Sequence, residues 1–438
     1  MERRHRVVVV GAGFGGLAAV RSLADAPVDV VLVDGNNFHT FQPLLYQVAT
    51  AGLDADDIAY PVRAIASKNG GSADVRLGHV VDIDLDGRRV VFDEGPSLGY
   101  DQLVLAAGAV TATYGIPGVE AHAFGLKTLA DSLALRAHVL RQFERVSVDP
   151  SRIDGGALTV VIGGGGPTGV ELAGGLVELF DKVLTKDFPT LDIRRARVVL
   201  VEPADRLLGS FSPRLSEKAR RTLAERGVEV VLGAGVAGMD AKTVELTDGR
   251  RIPAGTVVWT AGVQASPLAA CLAAQLGPDS LNGGGRVVVE ADLSVPSHPE
   301  VFVIGDLAGA TDADGQLLPQ VAPVAMQAGA HVARTIRDSL EGRPGTAFRY
   351  RDKGSMATIG RHAAVAQLPG GIRLSGAPGW LAWLALHLLM LVGFRNRVNV
   401  LVNWAWSYLT YDRASRLIMD DIGGPAAADV DGRNGGPG

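Results

Sequence analysis

Residues 7–16 read VVVVGAGFGG and run directly into LAAVRSLADAPVDVVLVDG at 17–35. Four consecutive valines predict a strand buried on both faces, because parallel sheets covered by helices use continuous β-branched runs. The turn Gly11-Ala12-Gly13-Phe14-Gly15-Gly16 then opens a helix, and a second apolar strand, Val28–Val33, ends at Asp34. Gly11, Gly13 and Gly16 supply G-x-G-x-x-G inside a βαβ unit, with an acid 23 residues after Gly11. Gly11 permits the tight turn, Gly13 lets a pyrophosphate approach the backbone, and Gly16 lets the helix pack on the strand. The phosphates then sit at the positive end of the helix, and Asp34 accepts from a ribose hydroxyl.

A second unit begins at the strand Leu158–Ile162. Its turn, Gly163-Gly164-Gly165-Gly166-Pro167-Thr168-Gly169, fits G-x-G-x-x-G best on Gly164, Gly166 and Gly169. The next strand, Arg197–Val201, closes on Glu202, 38 residues after Gly164 rather than about 20, so an insertion containing Lys182–Asp192 has to be absorbed. Glu202 accepts from both ribose hydroxyls and repels a 2′-phosphate, which favours NADH over NADPH, while Arg206 nearby softens that preference. Between the units, Val75–Leu85 and Arg89–Phe92 read as hairpin strands about Asp86-Gly87, and Asp101–Leu105 as a buried strand. Farther on, Thr256–Trp259 ends in Thr260-Ala261-Gly262, and Phe302–Ile304 ends in Gly305-Asp306. Two nucleotide units imply two nucleotides, and the obvious pair is a flavin and a nicotinamide.

With 438 residues the chain is too long for one core, so two or three domains are expected. Its 42 basic and 47 acidic side chains leave net −5, no footprint for nucleic acid. The single cysteine, Cys271, excludes an internal disulfide and any redox cysteine pair. The 9 histidines show no metal-ligand spacing. MERRHR leads straight into the first strand with no signal-peptide apolar region, so a cytoplasmic start is expected.

Near the other end, Gly379–Phe394 is almost wholly apolar for 16 residues. At about 1.5 Å per residue it reaches about 24 Å, short of the ~30 Å hydrocarbon core. Val398–Leu409 follows, with Asn399, Asn403 and Ser407 as a polar stripe opposite valines, leucines and Trp404. Arg395, Arg397, Arg413 and Arg416 flank it. Tryptophans and arginines around apolar helices suit a monotopic anchor with the arginines at anionic headgroups. The competing reading is a helix pair packed in a domain core or against a second copy, as a homodimer. The stretch from Gly423 reads as a disordered end.

The set GAGFGG, GGGPTGVELAG, VVWTAG and VFVIGDLA resembles the two-dinucleotide flavoprotein reductases. Within them the chain resembles the type II NADH:quinone oxidoreductases, on NNFHTFQPLLYQVATAGL at 36–53, LKTLADSLALRAHVL at 126–140 and LPQVAPVAMQAGAHVA at 318–333. YRDKGSMATIGRHAAVA at 350–366 and GFRNRVNVLVNWAWSYLTYDRASRLI at 393–418 are more discriminating than the glycine loops. The resemblance covers residues 1–420. It implies an α/β chain with two Rossmann-like domains, glutathione-reductase-like, plus a C-terminal membrane-associating helical region. FAD would bind 1–120 with 272–335, NADH would bind 121–271, residues 336–420 would carry the anchor, and 421–438 would be the tail.

Residue by residue, the resemblance places FAD on Gly11, Gly13, Phe14, Gly15, Gly16, Asp34, Gly305, Asp306 and Ala322. It places NADH on Gly164, Gly166, Pro167, Thr168, Gly169, Glu202 and Gly262. Glu171 would lie near nicotinamide and flavin, either relaying a proton to quinone or complementing the helix dipole. The family's quinone pattern A-Q-x-A-x-Q reads here Ala322-Pro323-Val324-Ala325-Met326-Gln327. Proline replaces the first glutamine, leaving Gln327, beside Pro323 and Gln42, as the polar quinone candidate, or as an amide satisfying the backbone. The implied activity passes electrons from NADH through FAD to a membrane quinone, at the cytoplasmic face. The alternatives are a soluble reductase of a protein carrier or oxygen, and a redox-sensing flavoprotein module.

Overall fold

In the computed structural model, which describes residues 4–67, 73–282, 284–410 and 415–418, the four valines occupy the middle of a six-stranded sheet and are almost fully buried. Two compact units divide the chain. One takes Met1–Thr40, Ala59–Val110 and Val263–Lys353; the other takes Phe41–Ile58, Thr111–Gly262 and Gly354–Gly438. The tail expectation for 421–438, and Arg413, lie outside the described residues.

The first unit's sheet runs in the order Ser294–Val295, His298–Val303, Gln102–Leu105, Arg6–Val10, Asp29–Asp34, Asp74–Leu77. Every pairing is parallel except that of the first two strands. The single hairpin strand expected over Val75–Leu85 is corrected here. The chain breaks at Gly78, whose N–H donates to Asp34 O at 3.0 Å. Asp74–Leu77 therefore joins the parallel sheet, and only Val80–Asp84 forms the hairpin with Arg89–Phe92. Helices Phe14–Ser22 and Ala322–Leu340 meet through small residues: a β-carbon on Gly329 would fall 2.2 Å from Gly15 O. That backbone approach brings the start of the second helix to the first glycine turn.

The second unit carries a fully parallel sheet ordered Val228–Leu232, Arg197–Glu202, Thr159–Gly163, Thr256–Trp259. The long connection after Gly164 is helix Pro167–Leu179 extended by a π-helical turn, Phe180–Leu184, and a helical turn, Thr185–Asp187. Helix Leu129–Val148 starts at a capping box: Thr128 accepts from Asp131 N while Asp131 accepts from Thr128 N. An antiparallel sheet of Ser355–Gly360, Ala363–Gln367 and Arg373–Gly376 packs on the helix Pro167–Leu179 at Gly174, where a β-carbon would meet Ile359 O at 2.4 Å. Two helices follow, Ala377–Met390 and Phe394–Thr410; the first stops short of the end of the apolar run Gly379–Phe394, and the second begins ahead of Val398, at Phe394 itself. Among the described residues no helix is long and apolar enough to cross a membrane.

Candidate active site

Each sheet ends in a glycine turn at its carboxyl edge, and the two turns repeat each other residue for residue. In the first, Gly11 has φ +104° and Gly13 caps helix Phe14–Ser22. A β-carbon on Gly16 would lie 1.8 Å from Gly11 O, so only glycine lets helix and strand close there. A β-carbon on Gly13 would meet nothing within 4 Å, which leaves its outer side open to a ligand. Asp34 is held in place by its own turn: Oδ2 accepts from Ala12 N at 2.6 Å and Oδ1 from Asn36 N at 2.7 Å. Each oxygen keeps a further lone pair for a ribose hydroxyl.

The second turn has Gly164 at φ +111°, Gly166 as helix cap with open space at its β-carbon position, and Pro167 in the first helical turn. A β-carbon on Gly169 would fall 1.9 Å from Gly164 O. Glu202 Oε2 accepts from Gly165 N at 2.7 Å and Oε1 from Ala204 N at 2.9 Å. The acid thus makes the same contact as Asp34 despite the longer connection, since helical insertion displaces sequence but not the strand end. Gly262 closes the strand Thr256–Trp259 at φ +152° and lies beside this turn through Ala261, whose Cα is 2.6 Å from a β-carbon on Gly164. Open backbone amides at a helix start, with an oriented acid on the neighbouring strand, fit a dinucleotide at both places.

The structure also gathers the remaining first-unit candidates. Gly305, at φ +68°, and Asp306 form a tight turn after His298–Val303, with Gln320 Nε2 donating to Asp306 O at 3.0 Å. Gly15 faces Ile304 and Ala325, and Ala322-Pro323 start the helix beside them. Gln327 is paired at both ends with one residue: Nε2 donates to Arg351 O at 2.9 Å and Oε1 accepts from Arg351 N at 3.0 Å. One amide hydrogen and one lone pair are left over. Gln42, in the other unit, is exposed in the short turn Gln42–Leu44.

Glu171 lies in the second unit, on helix Pro167–Leu179 and buried. The helix has no acid in its first turn, so the dipole reading of Glu171 gives way to a packed one. Its Oε1 accepts from Thr358 N and from Trp383 Nε1, both at 3.2 Å. Burial pushes its carboxyl up to about 8, against the lowering effect of those two bonds. Trp383 stacks on His387 with ring centroids 4.0 Å apart, and Tyr46 and Trp404 close round it. His387 Nδ1 donates to Trp383 O at 2.7 Å, and burial holds its ring down to about 4, hence neutral at pH 7.

The last helix turns Asn396 and Asn403 inward and leaves Asn399 half-buried, while the Ser407 side chain of the expected stripe lies outside the described residues. Asn396 Nδ2 donates to the carbonyls of Asp56 and Asp57, Asn403 Nδ2 to Asp57 Oδ2 at 2.7 Å, and Trp404 Nε1 to Gln47 Oε1 at 2.8 Å. Trp404 therefore shares the asparagines' side of the helix, correcting its expected place opposite them. Outward stand Phe394, Val398, Leu401, Val402 and Trp406, with Leu381, Leu386 and Leu389 exposed on the preceding helix. Two of the expected headgroup arginines are engaged internally: Arg397 donates to Leu389 O and Leu391 O, and Arg416 pairs with Asp187 at 3.1 Å. Arg395 is exposed.

Residues 5–329 match the family described as pyridine nucleotide-disulphide oxidoreductase, and residues 353–411 match the NDH2 C-terminal domain. A type II NADH:quinone oxidoreductase, NdhA, of Mycobacterium tuberculosis is 41% identical over 96% of this chain and 90% of its own length. The chain belongs to the type II NADH:quinone oxidoreductase family. A family member from Staphylococcus haemolyticus is 30% identical over 83% of this chain and 90% of its own. The fold is that of the Plasmodium falciparum NDH2 solved in complex with NADH: TM-score 0.87 over 95% of this chain and all of that one, at 19% identity.

For this type II oxidoreductase chain, sequence reading missed two aromatic partners. His39, buried, donates from Nδ1 to Ala12 O at 2.8 Å inside the first turn and meets the Phe14 ring edge-on. Trp383 sits 212 residues from Glu171, and no local pattern links an acid on one helix to an indole on another.

Proposed function

We propose that this chain is a non-proton-pumping NADH:quinone oxidoreductase acting at a membrane surface, with FAD on the first turn and NADH on the second. The observation that carries the reading is the duplicated turn, each copy holding an acid on its own backbone amide. FAD held on the first turn would supply the hydride acceptor for NADH and the two-electron donor for a quinone.

The chain's residues bind and orient. The amides at Gly13–Gly16 receive the FAD pyrophosphate, Asp34 takes the ribose, and Asp306 and the helix start at Ala322 take the rest of the flavin nucleotide. Gly164, Gly166, Pro167, Thr168 and Gly169 receive the NADH pyrophosphate, and Glu202 takes the adenosine ribose. Glu171 holds a proton at neutral pH. Because its Oε1 accepts both hydrogen bonds, Oε2 carries that proton, as an acid for a quinone oxygen must. Gln327 offers its remaining N–H to a quinone carbonyl with Pro323 as a further contact, and Gln42 is a separate quinone candidate carried by the other unit.

The outward apolar residues of the last two helices support seating in the lipid interface without crossing it. We assign that interface to the cytoplasmic leaflet, where NADH is supplied, and a homodimer uses whatever of the face lipid leaves free.

Anaerobic stopped-flow on the detergent-solubilised protein tests the reading. NADH bleaches the flavin band quickly, and a short-chain quinone restores it quickly while oxygen restores it slowly. Recovery with oxygen or a protein carrier alone would replace quinone as the acceptor.

A further inference from the structure

Residues Thr113–Ile116, TYGI, form a tight turn closed by Ile116 N donating to Thr113 O at 3.1 Å. Both central residues are left-handed, Tyr114 at φ +53° and Gly115 at φ +67°. A turn with two positive φ values takes asparagine, aspartate or glycine at its first central position, because a β-carbon there is crowded. Tyrosine breaks that rule, and it does so while 65% exposed, where no core packing requires it. Local rules broken without structural return concentrate at ligand sites.

The turn is pinned over the second dinucleotide unit. Trp259 Nε1 donates to Ala112 O at 2.7 Å, and Ala112 N donates to Gly262 O at 3.1 Å. These bonds bring the Tyr114 phenol onto Gly262, where a β-carbon would meet its oxygen at 2.2 Å, and its hydroxyl donates to Ala261 O at 3.4 Å. Thr260 Oγ1 ties the same loop to Gly163 O and Gly164 O. In sheet order, Glu202's strand lies on one side of Thr159–Gly163 and Thr256–Trp259 on the other. A dinucleotide crossing the turn with its adenosine ribose on Glu202 sends its other half toward Thr260–Gly262 and Tyr114.

Resting on the reading of this unit as the NADH site, we propose that the Tyr114 ring is a platform for the nicotinamide half of the dinucleotide. The test uses the FAD-loaded, detergent-solubilised protein, with NADH dissociation constants from the saturation of anaerobic flavin bleaching and competition by ADP-ribose, which lacks nicotinamide. Tyr114→Asn installs the residue the turn prefers, so the melting temperature holds or rises. Its NADH dissociation constant rises about five- to tenfold, the scale of one aromatic contact, while ADP-ribose binding stays within about twofold. Tyr114→Phe keeps both ligands within about twofold. Unchanged NADH binding in Tyr114→Asn, equal weakening of NADH and ADP-ribose, or a loss in Tyr114→Phe as large as in Tyr114→Asn would each overturn the proposal. Absence of bleaching in the unmodified protein would overturn the NADH reading and this proposal with it, a result distinct from any failure confined to the variants.

Discussion

Trp383 donates its indole N–H to Glu171 Oε1 at 3.2 Å, joining the last-but-one helix to the helix that starts at the second glycine turn. The bond favours the carboxylate, yet burial outweighs it and leaves the carboxyl protonated up to about pH 8. Single-turnover quinone reduction by the prereduced protein is therefore flat below neutrality and falls as pH rises through about 8. Glu171→Gln slows that step about a hundredfold and removes the fall, whereas Trp383→Phe, lacking the donor, moves the fall to higher pH. Stopped-flow across pH 6–10, with the NADH half-reaction as control, checks all three; an unchanged profile in Glu171→Gln would take Glu171 out of proton transfer.

The same carboxyl tilts folding stability. Its folded pKa of about 8 lies above the unfolded value of ~4.3, so the folded chain binds the extra proton between those limits. Stability is thus highest below about pH 4.3 as far as this group is concerned, falls with pH across the window, and levels off above 8. Glu171→Gln removes that slope. Thermal melts at pH 6 and pH 9 should show a smaller loss for the variant than for the parent.

Gly13 and Gly166 separate ligand effects from folding effects. Both have ordinary φ, −73° and −71°, and a β-carbon at either meets no protein atom within 4 Å. Gly13→Ala therefore folds with a melting temperature near that of the parent but is purified with little FAD, because the methyl occupies the pyrophosphate's approach. Gly166→Ala keeps its FAD and loses NADH-driven bleaching at least tenfold in affinity. Gly16→Ala and Gly169→Ala, at 1.8 and 1.9 Å from a carbonyl oxygen, instead lose folded protein. Absorbance of bound flavin and calorimetric melts distinguish the two classes.

The parts of this molecule that were legible in sequence are those written locally. Val7–Gly16 and Thr159–Gly169 each place strand, turn and helix within about a dozen residues, so period and glycine spacing suffice. The break at Gly78 is not legible locally because an isolated glycine in an apolar run looks like a bulge, and only the parallel partner at Asp34 decides that the chain leaves the sheet there. The side of the helix that Trp404 takes is hidden from the sequence for a related reason. Asn396 and Asn403 face inward to bond Asp56 and Asp57, more than 300 residues away, which reverses the rule that polar side chains face water. The Glu171 pocket is tertiary throughout: Tyr46, Thr358, Trp383 and Trp404 come from four separate segments.

On the proposed placement of NADH at the second turn, Glu202 sets the choice of dinucleotide. With Oε2 on Gly165 N and Oε1 on Ala204 N, its charge is fixed where the 2′ position of the adenosine ribose would come. Glu202→Gln removes the repulsion of a 2′-phosphate, so the ratio of kcat/KM for NADPH to that for NADH rises about tenfold. Steady-state rates with both donors and one short-chain quinone measure it. An unchanged ratio would mean that Glu202 does not face the ribose.

The inverted last helix makes a prediction in two halves. Asn403→Leu leaves the buried Asp57 carboxyl without its 2.7 Å donor, at a destabilisation of about 1–3 kcal/mol. Leu401→Lys with Val402→Glu changes two side chains that are half-exposed and touch no polar partner inward, so the melting temperature barely moves. Those two changes remove apolar area from the interface instead. The protein then stops co-sedimenting with anionic vesicles and loses most of its rate with a long-chain quinone dissolved in the bilayer, while its rate with a water-soluble quinone is kept. Retained sedimentation in that variant would place the membrane contact elsewhere on the chain and leave the apolar face to a second copy, which sedimentation velocity on the detergent-free protein would then detect.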